Sequence, residues 1–298
     1  MNTILCVGRA VWDQLFYVDS LPLMSGKVPA TKHREAGGGP AATAAGAIAQ
    51  LGGNSVLWSR IGDDKTGKNI VKELYKYGVD ISEICIIPKA KSPVAAVLVD
   101  NSGERGIAAY IDSNLYQSTT SLSETLPANT KMVLADVRWP EGGYYSFKLA
   151  QKLSIPTLLD IEKTDHPKLE ELISLATYAV FSQSGLISFT QEKDITSALH
   201  KAACICRGTV CVTLGDKGCM WLEGTTIRTQ QSFKVETIDT TGAGDVFHGA
   251  LALSLSRNST FEEAARFASA AAALKCTMPG GREGIPDEQK LLNFLAGN

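Results

Sequence analysis

Residues 239–250 read DTTGAGDVFHGA: two aspartates bracket small residues, and a helical pattern follows at once. Helices favour Ser, Thr, Asp or Asn at the cap, and glycine inside the first turn costs stability. Glycines there instead let backbone N–H groups approach an anion, where the helix dipole adds about half a positive charge. Gly242, Ala243 and Gly244 therefore form a candidate anion hole. A carboxylate beside a bound phosphate repels it, so Asp245 needs another use. As a general base it would take the proton from a hydroxyl attacking phosphorus, while the anion hole stabilises the developing charge. This is phosphoryl transfer without a Walker A motif, which the chain lacks. The plainer alternative has Asp239 capping the helix and Asp245 complementing its dipole, since short motifs match by chance. The length of the string and its place late in an α/β chain favour the chemical reading.

Working outward, short apolar runs recur: TILCVG, SVLWSRIG, MVLADVRW, PTLLDI, YAVFSQ and TVCVTLG. Amphipathic helical patterns lie between many of them, at 41–51, 66–77, 142–152, 167–175 and 194–206. The alternation predicts an α/β fold, a doubly wound, mainly parallel sheet. An Ala-rich helical block follows at 243–256 and 260–275. Residues 12–36 and 91–113 break the pattern with strand-like runs and turn signals at Ser25-Gly26 and Asn101-Ser102-Gly103. Together they predict a small antiparallel sheet serving as a lid. No repeat or low-complexity linker divides the chain, so 1–298 reads as a single domain with lid segments.

A formal net charge of −2 and the absence of any Lys/Arg block give no reason to expect a nucleic-acid partner. No apolar stretch approaches the ~18–20 residues of a membrane helix. NTILCVGRAVW lacks the basic and long apolar regions of a signal peptide and reads as a first strand. The seven cysteines are odd in number, without Cys-x-x-Cys, and mostly sit in apolar runs. They predict buried, reduced thiols in a cytoplasmic protein. Cys204 and Cys206 make only a weak metal pair, and His33, His166 and His200 form no ligand spacing. His248, one turn after Asp245, reads as a packed histidine that could touch the site; Trp58, Trp139 and Trp221 read as core or rim.

DTTGAGDVFHGAL resembles the C-terminal signature of the ribokinase-like (PfkB-type) carbohydrate kinases. GGGPAATAAGAIAQLGG at 37–53, followed by RIGDDKTG at 60–67, resembles their N-terminal signature. The likeness spans nearly the whole chain. It implies a Rossmann-like core with a β-sheet lid that often dimerises, and transfer of the ATP γ-phosphate to a sugar hydroxyl with Mg2+. Matched by position, Asp245 is the implied base and Gly242 to Gly244 the anion hole. Asp13 holds the place of the family's acceptor for sugar hydroxyls, where charge-assisted bonds orient a flexible polyol. Gly38 and Gly39 would let the backbone touch the sugar, Pro40 opens the next helix, and Thr43, an implied sugar contact, stands where many relatives carry Asn, so one polar contact is altered. VTLGDKGC at 212–219 resembles the nucleotide strand and turn, with Thr213, Gly215 and Gly218 near the phosphates and ribose. Relatives carry Asn-x-x-Glu where this chain has Ser182-Gln183-Ser184-Gly185, so no metal ligand is assigned. The resemblance also admits a monovalent cation such as K+ near 239–241 and 276–284.

Lys27 and Arg138 are the cations informative about the sugar. Read alone they are solvated surface charges; within the family frame, their convergence on one end of a sugar would suit a phosphate or sulfonate. SGK, GGGPAATAA, VLADVRW, DTTGAGDVFHGALA, RFAS and the run AALKCT, PGGR and GIPD resemble the 6-deoxy-6-sulfofructose kinases within the family. That implies phosphorylation at the C1 hydroxyl of an anionic ketose. The subgroup carries Asn where this chain has Ala109, which leaves fructose 6-phosphate or tagatose 6-phosphate as the alternative. A non-catalytic sugar or nucleotide sensor on the same fold is the reading from another class, and the degenerate 182–185 motif supports it. A nucleoside kinase would want an apolar base pocket rather than two cations.

Overall fold

The computed structural model describes residues 2–22, 27–101, 104–116 and 122–298. The turn signals at Ser25-Gly26 and Ser102-Gly103 lie outside the described residues. The chain opens with β1 (Thr3–Val7), β2 (Val11–Val18), β3 (Ala30–Gly38), α1 (Pro40–Gln50), β4 (Asn54–Trp58), β5 (Arg60–Gly62) and α2 (Lys65–Lys76). Three strands follow: β6 (Cys85–Ile87), β7 (Val94–Val99) and β8 (Arg105–Tyr110). Alternation resumes with β9 (Thr130–Asp136), α3 (Pro140–Lys152), β10 (Thr157–Ile161), α4 (Leu169–Leu175) and β11 (Tyr178–Ser182). Next come α5 (Gln183–Thr190), α6 (Ile195–Ala203), β12 (Thr209–Thr213) and the hairpin of β13 (Cys219–Glu223) and β14 (Thr226–Gln230). The last elements are α7 (Ala243–Ser256), α8 (Phe261–Cys276) and α9 (Glu288–Ala296).

Eight strands form one sheet in the order β4-β1-β9-β10-β11-β12-β13-β14. The first six are parallel, and the hairpin adds two antiparallel strands at the edge. β1 and β10 are buried at every residue, as parallel strands covered on both faces must be. Their side chains alternate between two cores. Ile4 and Cys6 pack with α1, α7 and α8, while Leu5 and Val7 pack with α3, α4 and α6. Trp58, Trp139 and Trp221 are all buried in these cores. The chain moves from β1 to β4 on one side and later to β9 on the other. Their carboxyl ends therefore part at a topological switch point, where α/β sheets bind ligands.

The stretches 12–36 and 91–113 supply most of a second sheet, ordered β3-β2-β7-β8. It is not antiparallel throughout: β2 pairs parallel with β7. Two helices intervene between those strands, a connection long enough for parallel pairing, whereas hairpin-linked strands run antiparallel. SVLWSRIG, expected as one strand, breaks at Ser59 so that β5 can pair with β6. The β13–β14 hairpin, α5 and α9 are additions to the expected elements. α8 starts on a capping box in which Thr260 and Glu263 bond reciprocally. α1 and α7 begin differently, on Gly39 and Gly242, both at positive φ and without a side-chain cap. These two helices cross at backbone contact, because a Cβ on Gly249 would come 2.5 Å from the Ala44 carbonyl oxygen.

Candidate active site

Asp136, at the end of β9, organises the switch point. It is fully buried; its Oδ2 accepts the N–H of Arg9 at 2.9 Å and of Ala41 at 3.0 Å. Its Oδ1 accepts the N–H of Arg138 at 2.8 Å. One carboxylate thus ties the end of β1, the first turn of α1 and the loop after β9. Gly8 makes this possible, since a Cβ there would run into that carboxylate. Burial still pushes the Asp136 pKa above its ordinary value, against the three N–H donors.

Asp13 lies on β2 with its carboxylate against Gly38 of β3, where any side chain would collide with it. Gly39 has φ 93°, and a Cβ there would overlap the Arg9 carbonyl oxygen. These glycines accommodate neighbouring protein groups at the mouth of α1. Burial raises the Asp13 pKa to about 6; Arg282 opposes the rise and Glu73 adds to it. Arg282 is 1% exposed. Its Nη1 donates to Glu73 Oε2 at 2.5 Å and its Nη2 to the Gly38 carbonyl at 2.6 Å. Glu73 in turn accepts the Gly37 N–H at 2.9 Å, so a buried ion pair holds the end of β3.

Asp245 occupies the first turn of α7, largely buried, with the carboxylates of Glu162, Asp136 and Asp13 as the like charges felt there. Its pKa rises to about 7, first from burial and then from Glu162 and Asp136; Arg282 opposes this and Asp13 reinforces it. A carboxyl poised there suits a general base near neutral pH. The Gly244 Cβ position faces open space. Asp239 does not cap the helix: the N-cap is Gly242, at φ 73°. Asp239 Oδ1 accepts from the Thr241 N–H at 2.8 Å, the Thr241 hydroxyl at 2.6 Å and Arg105 at 2.9 Å. Its Oδ2 accepts the Gly280 N–H at 2.9 Å, so it braces the loop before the anion hole. Arg105 belongs to β8, and this pair links the small sheet to that loop.

Thr43 is 2% exposed, and its methyl group lies 3.3 Å from where a Gly242 Cβ would stand. It packs in the α1–α7 seam, beside the start of α7. Arg138 pairs with Glu162, whose charge is in turn felt at Asp245. The Arg9 guanidinium lies over the Tyr116 ring and donates to the Arg138 carbonyl at 3.0 Å. Lys27 is exposed in the connection between β2 and β3. His248 is buried beside Asp160, Nδ1 to Oδ2 3.3 Å, and burial pulls its pKa down to about 4, so it is neutral. Asp160 is held well above the ordinary carboxylate range by burial and then by Glu162 and Asp245.

On the far side of α7's start, Ser182 and Thr213 are neighbours at the ends of β11 and β12. The Thr213 hydroxyl donates to the Phe181 carbonyl at 3.3 Å. Gly215 has φ 61° and an open Cβ position, so the backbone there can meet a ligand closely. Gly218 instead faces β14, where a Cβ would collide with the Gln230 carbonyl. Ser182 caps α5 by accepting the Gly185 N–H at 3.1 Å. Among the described residues, no group of three or more His, Cys, Asp or Glu is arranged to hold a metal ion.

The pfkB family carbohydrate kinase model matches residues 1–288. The ribokinase of Haemophilus influenzae is 28% identical, over 99% of this chain and 98% of its own. The fructokinase of Vibrio alginolyticus is 25% identical over 99% of each chain. Arabidopsis thaliana ribokinase, solved with ribose and ATP, superposes with a TM-score of 0.85 at 25% identity, covering 99% of this chain and 98% of that one. An Agrobacterium tumefaciens structure described as a candidate ribokinase gives a TM-score of 0.92 at 34% identity, with 99% and 98% covered. The chain belongs to the pfkB family of carbohydrate kinases: it is an ATP-dependent sugar phosphotransferase with the ribokinase-like fold. No helix among the described residues is long and apolar enough to cross a membrane.

Proposed function

We propose that the protein phosphorylates the C1 hydroxyl of an anionic ketose, 6-deoxy-6-sulfofructose, using Mg-ATP. The observation that carries this is the guanidinium of Arg138 paired with Glu162, whose charge is felt at Asp245, with the guanidinium of Arg9 reaching the Arg138 carbonyl from the end of β1. A guanidinium there supplies a planar fork of donors for two oxygens of a tetrahedral sulfonate or phosphate, and Lys27 adds a charge from the connection between β2 and β3. Asp13 accepts the sugar hydroxyls and Asp245 takes the proton from the attacking one. The N–H groups of Gly244 and Asp245 serve the transferring phosphoryl group, while that of Ala243 donates to the Thr240 carbonyl at 3.2 Å and shapes the turn at Gly242; Gly215 and Thr213 lie beside the nucleotide. Gly218 supports that turn from behind. Mg2+ would be carried by the nucleotide phosphates and would supply charge stabilisation there, since no side-chain cluster among the described residues is arranged to hold it. Closure of the small sheet as a lid, led by the Arg105–Asp239 pair, excludes water.

The test is ADP release with Mg-ATP and 6-deoxy-6-sulfofructose, fructose 6-phosphate, fructose or ribose. The sulfonate is expected to give the highest kcat/KM. Arg138→Met should lower it about tenfold to a hundredfold for the anionic sugars, the worth of a charged hydrogen bond, and much less for fructose. Preference for ribose or fructose, or equal losses on all sugars, would sink the assignment. Ala109, exposed on β8, favours a second reading, a phosphorylated ketose such as fructose 6-phosphate or tagatose 6-phosphate. It would be adopted if fructose 6-phosphate wins that comparison. Ile107 and Tyr110 expose 64% and 53% of their surface on the same strand, which supports pairing of two copies through the lid. Sedimentation should show twice the monomer mass, and a monomer would refute the pairing. All seven cysteines are free, which suits the reducing cytoplasm.

A further inference from the structure

The family likeness admits a monovalent cation beside the loop that leads into the anion hole, and the groups present there do not fit one. We infer that the side-chain ammonium of Lys275 stands in for that cation, so that the enzyme turns over without K+ or Na+. Lys275 sits in the last turn of α8 and is fully buried. Its Nζ donates to the Asp239 carbonyl at 2.7 Å. A carbonyl oxygen is what an alkali ion would take as a ligand; here a tethered cation already holds it. Residue 284 is glycine where the chain passes close to this end of α8: a Cβ there would stand 2.7 Å from the Lys275 carbonyl oxygen. The end of α8 favours positive charge, and its final carbonyls also receive the loop. Ile238 and Asp239 both donate their N–H to the Cys276 carbonyl, at 2.8 and 3.1 Å.

Charge argues the same way. The Asp239 side chain is already paired with Arg105 and bonded by Thr241 and Gly280. An alkali ion at its carbonyl would place a third positive charge beside Arg105 and Lys275, with no further carboxylate on Asp239 to compensate. Burial lowers the Lys275 pKa from its ordinary value, while Asp239 pulls it back towards the charged form. Lys275 is thus a positioning residue. It fixes residues 239–241, from which Gly242 turns into the first N–H groups of α7, and its charge is felt at Asp245.

The assay rests on the substrate reading above, so a second readout is needed. Turnover of Mg-ATP with 6-deoxy-6-sulfofructose and with fructose 6-phosphate would be compared in tetramethylammonium chloride and KCl at equal ionic strength. Melting temperature would be recorded in the same salts. The wild type is expected to be indifferent to the exchange in both measurements. Lys275→Ala should lose about tenfold or more in turnover in tetramethylammonium. NH4+ or K+ should restore part of its rate and raise its melting temperature, which a merely structural defect would not allow. A wild type whose rate or melting temperature rises markedly with K+ would overturn the inference, as would Lys275→Ala with full K+-free activity. If that variant fails to fold, the wild-type comparison alone decides. If neither sugar is consumed in any salt, the substrate reading fails while the melting comparison still judges Lys275.

Discussion

Asp245→Asn is expected to lower kcat by about a hundredfold to ten-thousandfold, the range that a positioned general base supplies. The KM for Mg-ATP should change little, because the N–H groups of α7 and the turn at Gly215 are untouched. Asparagine keeps the size of the side chain and removes the lone function claimed for it, acceptance of a proton. The pH profile gives a sharper form of the same test. Asp245 is held up to about 7, so its conjugate base is gained as pH rises through that value. In the wild type, kcat/KM should climb across the region around pH 7 and level off above it. In Asp245→Asn the residual rate should lose that limb. Turnover near the wild-type level, or an unchanged limb in the variant, would remove Asp245 from the chemistry.

Stability separates this defect from misfolding. In the folded protein Asp245 keeps a proton that it has lost in the unfolded chain, from the ordinary carboxylate value up to about 7. Folding therefore takes up a proton across that window, and stability falls as pH rises through it. Above it, the folded state bears the full cost of an ionised carboxylate among Glu162, Asp136 and Asp13. Asp245→Asn should consequently melt higher than the wild type at pH 8, with the gap closing towards pH 4. Gain of stability with loss of turnover is expected where a site is strained for function.

The same distinction between local and distant partners explains what could be read from the chain alone. The parallel strands were legible because burial on both faces leaves uninterrupted apolar runs such as TILCV. The uncapped start of α7 and the place of Asp245 in its first turn were legible because a helix start is contiguous, and its glycines violate ordinary capping within a few residues. The pairing of β2 with β7 was not, since nothing near either strand specifies a partner beyond two helices. β14 escaped because it is an edge strand, largely exposed, with little apolar pattern to show. Lys27 and Arg138 could be picked out only as types, and the sequence could not show that Arg138 meets Glu162. Thr43 was legible as a polar residue opening α1, but its close packing beside Gly242 of α7 depends on a partner far along the chain. Asp136 left a trace, an acid closing an apolar run at a strand's carboxyl end. Arg282 left none, as its partners Glu73 and Gly38 lie 209 and 244 residues away.

Arg282 should matter as much to stability as Asp245 does to rate. Arg282→Met removes the cation of a buried pair while keeping much of the stem, and leaves Glu73 and the Gly38 carbonyl short of donors. Breaking such a pair from one side costs about 3–5 kcal/mol, because the remaining charge is buried without compensation. Chemical denaturation should show a loss of that size. Adding Glu73→Gln should recover part of it, since the orphaned carboxylate is then neutral, and the non-additivity measures the pair. Function should move as well. Arg282 is the group that holds the Asp13 pKa down against burial and Glu73. Without it Asp13 is protonated to higher pH and accepts sugar hydroxyls poorly. The sugar KM should rise at neutral pH and improve as pH increases, while the KM for Mg-ATP stays put. A variant within about 0.5 kcal/mol of wild type, the range of ordinary surface changes, would mean that this pair does not hold the end of β3.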